Sequence, residues 1–179
     1  MSTEVSLTPQ AQALCELFGS SLGINKSDHA NVWAKLLKER SFGEGMSICA
    51  RGRHTSSLFL VKSGELVVSL TSGSHTQEVT TLSAGSFFGE LGLLAPGDGS
   101  ADVICRTDCE LLELDSAAFE LMKKEHAATA RALIHDCGKV LALRVMGLER
   151  VSDDSEQHNP KPGLLQRISN LLFHFGDDS

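Results

Sequence analysis

Apolar residues recur at helical spacing toward both ends of this chain and in short alternating or continuous runs through its middle. Thr8-Pro9 is a helix start, with a capping hydroxyl followed by proline in the first turn. Leu14, Leu17 and Phe18 give that helix an apolar side, and Gly19 ends it. Ser27 or Asp28 caps a second helix with Val32, Trp33, Leu36 and Leu37 as its stripe, and Lys38-Glu39-Arg40 closes it on the polar side. From Phe42 to Cys109 glycine recurs at short intervals. Strands are predicted at 46–50, 57–61, 65–70, 77–82, 101–106 and 110–114. Short strands with frequent turns predict a sandwich or a closed antiparallel roll. Gly64 reads as a sharp turn, either beside a pocket or simply between two strands.

Asp115 or Ser116 caps the next helix, which carries Phe119, Leu121 and Met122. A longer helix follows. Ala127, Ala130, Ile134, Cys137, Leu141, Arg144, Leu148 and Val151 stand at alternating spacings of three and four, a heptad seam with Leu133 and Val140 at its edge. The seam predicts a homodimer through Ile134, Cys137, Leu141, Arg144 and Leu148, because Arg144 is costly to bury in a dry core. A helix packed on its own sheet is the alternative. Residues 152–163 read as a linker with Asn159-Pro160-Lys161-Pro162-Gly163, and Leu164, Leu165, Ile168, Leu171, Leu172 and Phe175 form an amphipathic stripe. That stripe can dock on a protein partner or on its own chain. The expected organisation is α+β: an N-terminal helical segment at 1–41, an antiparallel β-roll with hinge and long helix at 42–151, a linker at 152–163 and a C-terminal helix at 164–179.

Composition narrows the function. Of 179 residues, 41% are hydrophobic and 22% charged, as in a globular domain long enough to bury a core. The formal net charge of −7 opposes general nucleic-acid binding, which needs basic surface. The first residues, MSTEVSLTPQ, lack a basic and apolar leader, and no apolar run spans a bilayer; the expectation is a cytoplasmic protein without a transmembrane segment. The five cysteines are odd in number and contain no CxxC pair, so they read as reduced, apolar core residues. Seven histidines include no His-x-His, and no catalytic triad or P-loop appears, so neither a catalytic residue nor a metal site is expected. A cupin-like metalloenzyme on the same kind of roll is the enzymatic alternative.

The most informative stretch is 82–103, LSAGSFFGELGLLAPGDGSADV. Ala84-Gly85-Ser86 leads through Phe87 into Phe88-Gly89-Glu90-Leu91, a short apolar turn follows, and Pro96-Gly97-Asp98-Gly99 breaks it before Ser100-Ala101-Asp102-Val103. This segment resembles the phosphate-binding cassette of cyclic-nucleotide-binding domains, found in catabolite activators, regulatory subunits of cAMP-dependent kinase and nucleotide-gated channels. The resemblance runs over roughly residues 42–151. It implies a β-roll sensor with Phe88, Gly89, Glu90, Leu91, Gly92, Gly99, Ser100 and Ala101 around the ligand. Gly89 permits close backbone approach, Glu90 holds the ribose hydroxyl and Ser100 faces the phosphate.

The family's arginine falls on Gly99. Its loss from a desolvated phosphate costs on the order of 2–5 kcal/mol. Arg106, on the same strand face as Ser100, stands too far away to substitute directly; Arg51 and Arg53, in a turn-rich segment with His54, are the other candidate cations, and sequence alone does not place them. The expected function is a non-catalytic regulatory module with weakened, altered or lost cyclic-nucleotide binding that acts through protein–protein contact. A competent cAMP or cGMP sensor with a substitute cation is the alternative. No cofactor other than a cyclic nucleotide is implied, and residues 152–179 are too short and too acidic for a DNA-reading helix to be expected in them.

Overall fold

The computed structural model describes residues 6–19, 22–24, 27–72 and 75–153. The amphipathic stripe at 164–175 lies outside them, as do the side chains of Arg144, Leu148 and Val151. The chain begins with α1 (Pro9–Phe18) and α2 (Ser27–Leu36). The roll follows as β1 (Lys38–Phe42), β2 (Ser47–Cys49), β3 (His54–Thr55), β4 (Leu58–Ser63), β5 (Leu66–Ser72), β6 (His75–Leu82), β7 (Phe87–Phe88), α3 (Glu90–Leu94), β8 (Gly97–Asp98), β9 (Asp102–Cys105) and β10 (Cys109–Leu114). It closes with α4 (Ser116–Glu125) and α5 (Ala127–Asp153). Two four-stranded antiparallel sheets, ordered β1-β10-β4-β7 and β2-β9-β5-β6, face each other, and β3 pairs with β8 as a separate ribbon. The fold is α+β, an antiparallel β-roll flanked by helices.

Strand β4 shows how one sequence run serves two interiors. Leu58 and Leu60 point into a core shared with Phe18, Trp33, Met122 and Leu133 of the helices, while Phe59 and Val61 pack inside the roll with Leu66, Phe88 and Leu111. A strand buried on both faces reads as continuous hydrophobicity. Strand β6 is the opposite case, exposed along nearly its whole length.

The helix signals translate directly. The Thr8 hydroxyl accepts from the Ala11 N–H at 3.2 Å, and the Asp115 carboxylate accepts from the Ala118 N–H at 2.8 Å. Leu17 and Leu121, expected on apolar faces, are exposed; α1 buries Ala11, Leu14 and Phe18, and α4 buries Phe119 and Met122.

One expectation is corrected and one pair of alternatives is narrowed. Lys38-Glu39-Arg40 does not finish α2; it opens β1, which pairs with β10 from Lys38 opposite Glu113 to Phe42 opposite Cys109. Its charges are matched by strand neighbours rather than spread on a helix face: Lys38 pairs with Asp115, Arg40 with Glu113 at 2.7 Å, and Glu39 with Lys62 at 3.2 Å. An edge strand of charges has no apolar period to announce it. Gly64 makes a turn at φ +90° against Asp108 and Cys109, at the end of β4 away from Ser57, and therefore serves as a bend between strands.

Candidate ligand cassette

The cassette starts where β7 docks on β4, with Phe88 opposite Phe59 and their rings stacked at 5.2 Å. The chain then reverses at Gly89 with φ +88°. A Cβ there would stand 2.3 Å from the Ser57 carbonyl oxygen, so glycine is required both by conformation and by space. Helix α3 is short and buried: Glu90 is 2% exposed, Leu91 9% and Leu93 3%. Gly92 lies flat against β3, where a Cβ would meet the Thr55 hydroxyl oxygen at 2.4 Å. Glu90 faces Cys49 of β2. Burial first, and the Glu90 charge second, push the Cys49 thiol up to about 11. Leu91 packs against Leu141 of α5, which links the cassette to the long helix.

The second half of the cassette is built from backbone. Ala50, Arg51, Gly52 and Arg53 form a type II turn: Gly52 has φ +77° at the third position, and the Arg53 N–H donates to the Ala50 carbonyl at 3.0 Å. The Gly52 N–H donates to the Gly99 carbonyl at 3.0 Å, and the Gly99 N–H donates to the Arg53 carbonyl at 2.7 Å. This is a glycine bulge, with Gly52 and Arg53 opposing the single residue Gly99. A Cβ on Gly99 would lie 2.8 Å from the Ala50 carbonyl oxygen and 3.3 Å from that of Arg53. Gly99, where the resemblance leads one to expect an arginine, is thus hemmed in by the carbonyls of the adjoining turn, and no side chain enters there without moving them.

The remaining expected residues are placed as follows. Ser100 is exposed and Ala101 half-buried at the entry to β9. Asp102 accepts from the Arg51 N–H at 2.9 Å and from the Thr71 hydroxyl at 3.4 Å, so it fastens the turn to β5. The Arg51 guanidinium donates to the Thr71 carbonyl, and that of Arg106 is held by Glu78 at 2.8 Å on the outer strand β6. In the long helix, Ala130, Leu133, Cys137 and Leu141 are buried within the single chain and Ile134 packs partly on the same core. The seam spacing up to Leu141 thus reflects packing on the roll and on α3, while Arg144 and Leu148 continue α5 as backbone only. The turn at 50–53 went unrecognised as the partner of Gly99; its signal is glycine between two arginines just ahead of a strand.

None of the five cysteines is joined in a disulfide, and Cys49, Cys105, Cys109 and Cys137 are buried. Burial, then a hydrogen bond with Cys109, raises the Cys105 thiol to about 11. Among the described residues no three His, Cys, Asp or Glu side chains converge on a metal position, and no helix is long and apolar enough to cross a membrane.

Residues 39–126 match the cyclic nucleotide-binding domain family. The chain is 33% identical over 108 residues to the cyclic nucleotide-gated channel beta-3 of Mus musculus, covering 59% of this chain and 15% of the channel. It is 31% identical over 120 residues to Glutaminase 2 of Bradyrhizobium diazoefficiens, covering 67% of this chain and 19% of that protein. The chain therefore spans less than a fifth of the length of either. A cyclic nucleotide-binding domain from Methylobacillus flagellatus superposes with a TM-score of 0.73 at 12% identity, over 83% of this chain and 85% of that one, which establishes the shared fold. Residues 39–126, which carry the Phe88-Gly89-Glu90-Leu91 turn in the roll, thus match the cyclic nucleotide-binding domain family in sequence and share its fold.

Proposed function

We propose that this chain is a non-catalytic regulatory domain whose cassette receives cyclic nucleotides with weakened grip and signals through α5 to a protein partner in the cytoplasm. The observation that carries this reading is the wall at Gly99: the Ala50 carbonyl oxygen is 2.8 Å from where a side chain would begin. A phosphate seated there meets backbone N–H groups and the Ser100 hydroxyl, with no guanidinium projecting from position 99 itself. Neutral donors are about half as strong as charged ones. Glu90 retains the role of accepting the ribose hydroxyl. Movement of α3 is passed to α5 through Leu91 and Leu141, which share one small apolar cluster. The surface offered to a partner, or to a second copy, lies beyond Leu141, where Leu143 is 64% exposed and Arg144 and Leu148 follow.

Isothermal titration with cAMP and cGMP tests the reading. The expected dissociation constant lies tens- to thousands-fold above that of an arginine-bearing cassette, as a loss of about 2–5 kcal/mol requires. Glu90→Ala should remove the remaining heat. Submicromolar binding that survives Glu90→Ala overturns the assignment of the site.

A further inference from the structure

We propose that Arg53 supplies, from the neighbouring strand, the positive charge that the cassette lacks at position 99, and that Arg53 is what lets this pocket tell a cyclic nucleotide from its uncharged nucleoside. The inference rests on the cassette being the ligand site.

Two independent geometric relations put residue 53 on the cassette side of its ribbon. The first is the bulge. The Gly99 N–H donates to the Arg53 carbonyl at 2.7 Å, so the two residues oppose each other across the ribbon, and opposed residues in an antiparallel pair project from the same face. A side chain at 53 therefore leaves the ribbon on the face where a side chain at 99 would have stood. The second relation is the strand period. Thr55 of β3 presents its hydroxyl to Gly92 of α3, 2.4 Å from where a Cβ would be, and Arg53, immediately ahead of β3, stands two residues before it, in step with the two-residue alternation that pairs Thr55 with Gly97. The opposing strand leaves that face bare, because Gly97 pairs with Thr55 and Gly99 with Arg53.

Charge bookkeeping across the roll singles out the same residue. Lys38, Arg40, Lys62 and Arg106 each face a carboxylate, and Arg51 holds the Thr71 carbonyl. Among the described residues of the roll, Arg53 is the one cation whose side chain engages neither a carboxylate nor a carbonyl. A guanidinium with that freedom, next to a phosphate position walled off at 99, can reach around the wall where a residue at 99 itself cannot. Its planar fork suits two phosphate oxygens.

The test is titration of the full chain with cAMP, cGMP and adenosine at low and high salt, for the parent, Arg53→Gln and Arg53→Lys. Arg53→Gln should weaken cyclic-nucleotide binding by about tenfold or more, remove its salt dependence and leave adenosine within about twofold. Arg53→Lys should restore part of the loss, since it keeps charge without the fork. Equal binding of cAMP to parent and Arg53→Gln, with adenosine bound as well, overturns the role of Arg53 and leaves the pocket standing. Failure of the parent to bind any of the three overturns both the pocket and this inference.

Discussion

The two halves of the cassette are held by different forces. From Phe88 to Leu93 the chain is buried, its ring stacked on Phe59 and its helix wedged between β3 and Leu141. From Pro96 to Ser100 it is exposed or half-buried, and its position is set by backbone hydrogen bonds to the turn at 50–53. The first half would keep its shape with no ligand, because packing alone requires Gly89, Leu91 and Gly92. The second half has little packing to define it, and on the proposed reading it is the half that would face the phosphate. The recognisable motif and the chemistry of phosphate recognition therefore belong to different physical regimes within one loop. On the proposed reading, retention of the first says nothing about affinity, which the second would decide.

The comparison breaks most easily at its two glycines. Gly89→Ala places a Cβ 2.3 Å from the Ser57 carbonyl in a backbone at φ +88°. Left-handed strain and the forced shift together should cost about 3 kcal/mol, read as a lowered urea midpoint. Gly99→Ala meets the Ala50 carbonyl at 2.8 Å without a positive φ, in a ribbon that can give way. About 1 kcal/mol is expected there. A cost at Gly99 as large as that at Gly89 would show the second half to be as tightly built as the first. The same contact predicts that Gly99→Arg does not simply restore an arginine cassette, since the turn must move first.

A middle-sized effect tests the link from cassette to helix. Leu141 is 6% exposed against Leu91. Leu141→Ala should cost about 2 kcal/mol, the low end for a buried leucine because few residues surround it. Amide exchange in α3 and in α5 should accelerate together, while β4 and β10 stay protected. Exchange confined to α5 would uncouple the helix from the cassette and remove the route proposed for signalling.

Much of this was legible in the chain. Capping at Thr8 and Asp115 follows from local chemistry that tertiary packing did not override, the strand at 57–61 announces itself by the apolar run 58–61, and that at 110–114 by Leu111, Leu112 and Leu114. The cassette was readable because Phe88-Gly89-Glu90-Leu91 combines one conformational demand with three packing demands. What stayed hidden depends on partners distant in sequence. Strand β1 opens with three charged residues, and its pairing with β10 is accompanied by contacts to Glu113, Asp115 and Lys62, all distant in sequence. The heptad spacing of α5 fits equally a partner copy or the chain's own core, and only the positions of Leu91 and the roll distinguish these up to Leu141. The obstruction at Gly99 comes from a turn some fifty residues earlier, so no local pattern could reveal that the missing arginine also has no room.

The smallest effect belongs to a contact remote from both halves and serves as their control. Asp115 caps α4 and pairs with Lys38, and the pair ties the first strand to the helical layer. The Lys38 hydrogen bond, followed by that from the Ala118 N–H, holds the Asp115 carboxyl below its ordinary value of 3.8. A carboxylate with a lowered folded pKa stabilises the protein fully above the unfolded value and loses that contribution as pH falls through the folded one. Asp115→Asn keeps an oxygen for the cap but gives up the charge, so it should lower stability near pH 7 by well under about 1 kcal/mol and flatten the loss of stability below pH 3.8. Unfolding midpoints of parent and variant should converge as the solution is acidified, and ligand titrations at pH 7 should match. A variant that changes nucleotide affinity at neutral pH would mean that the frame beneath α4 communicates with the cassette, and the division between a packed half and a backbone-held half would have to be redrawn to include it.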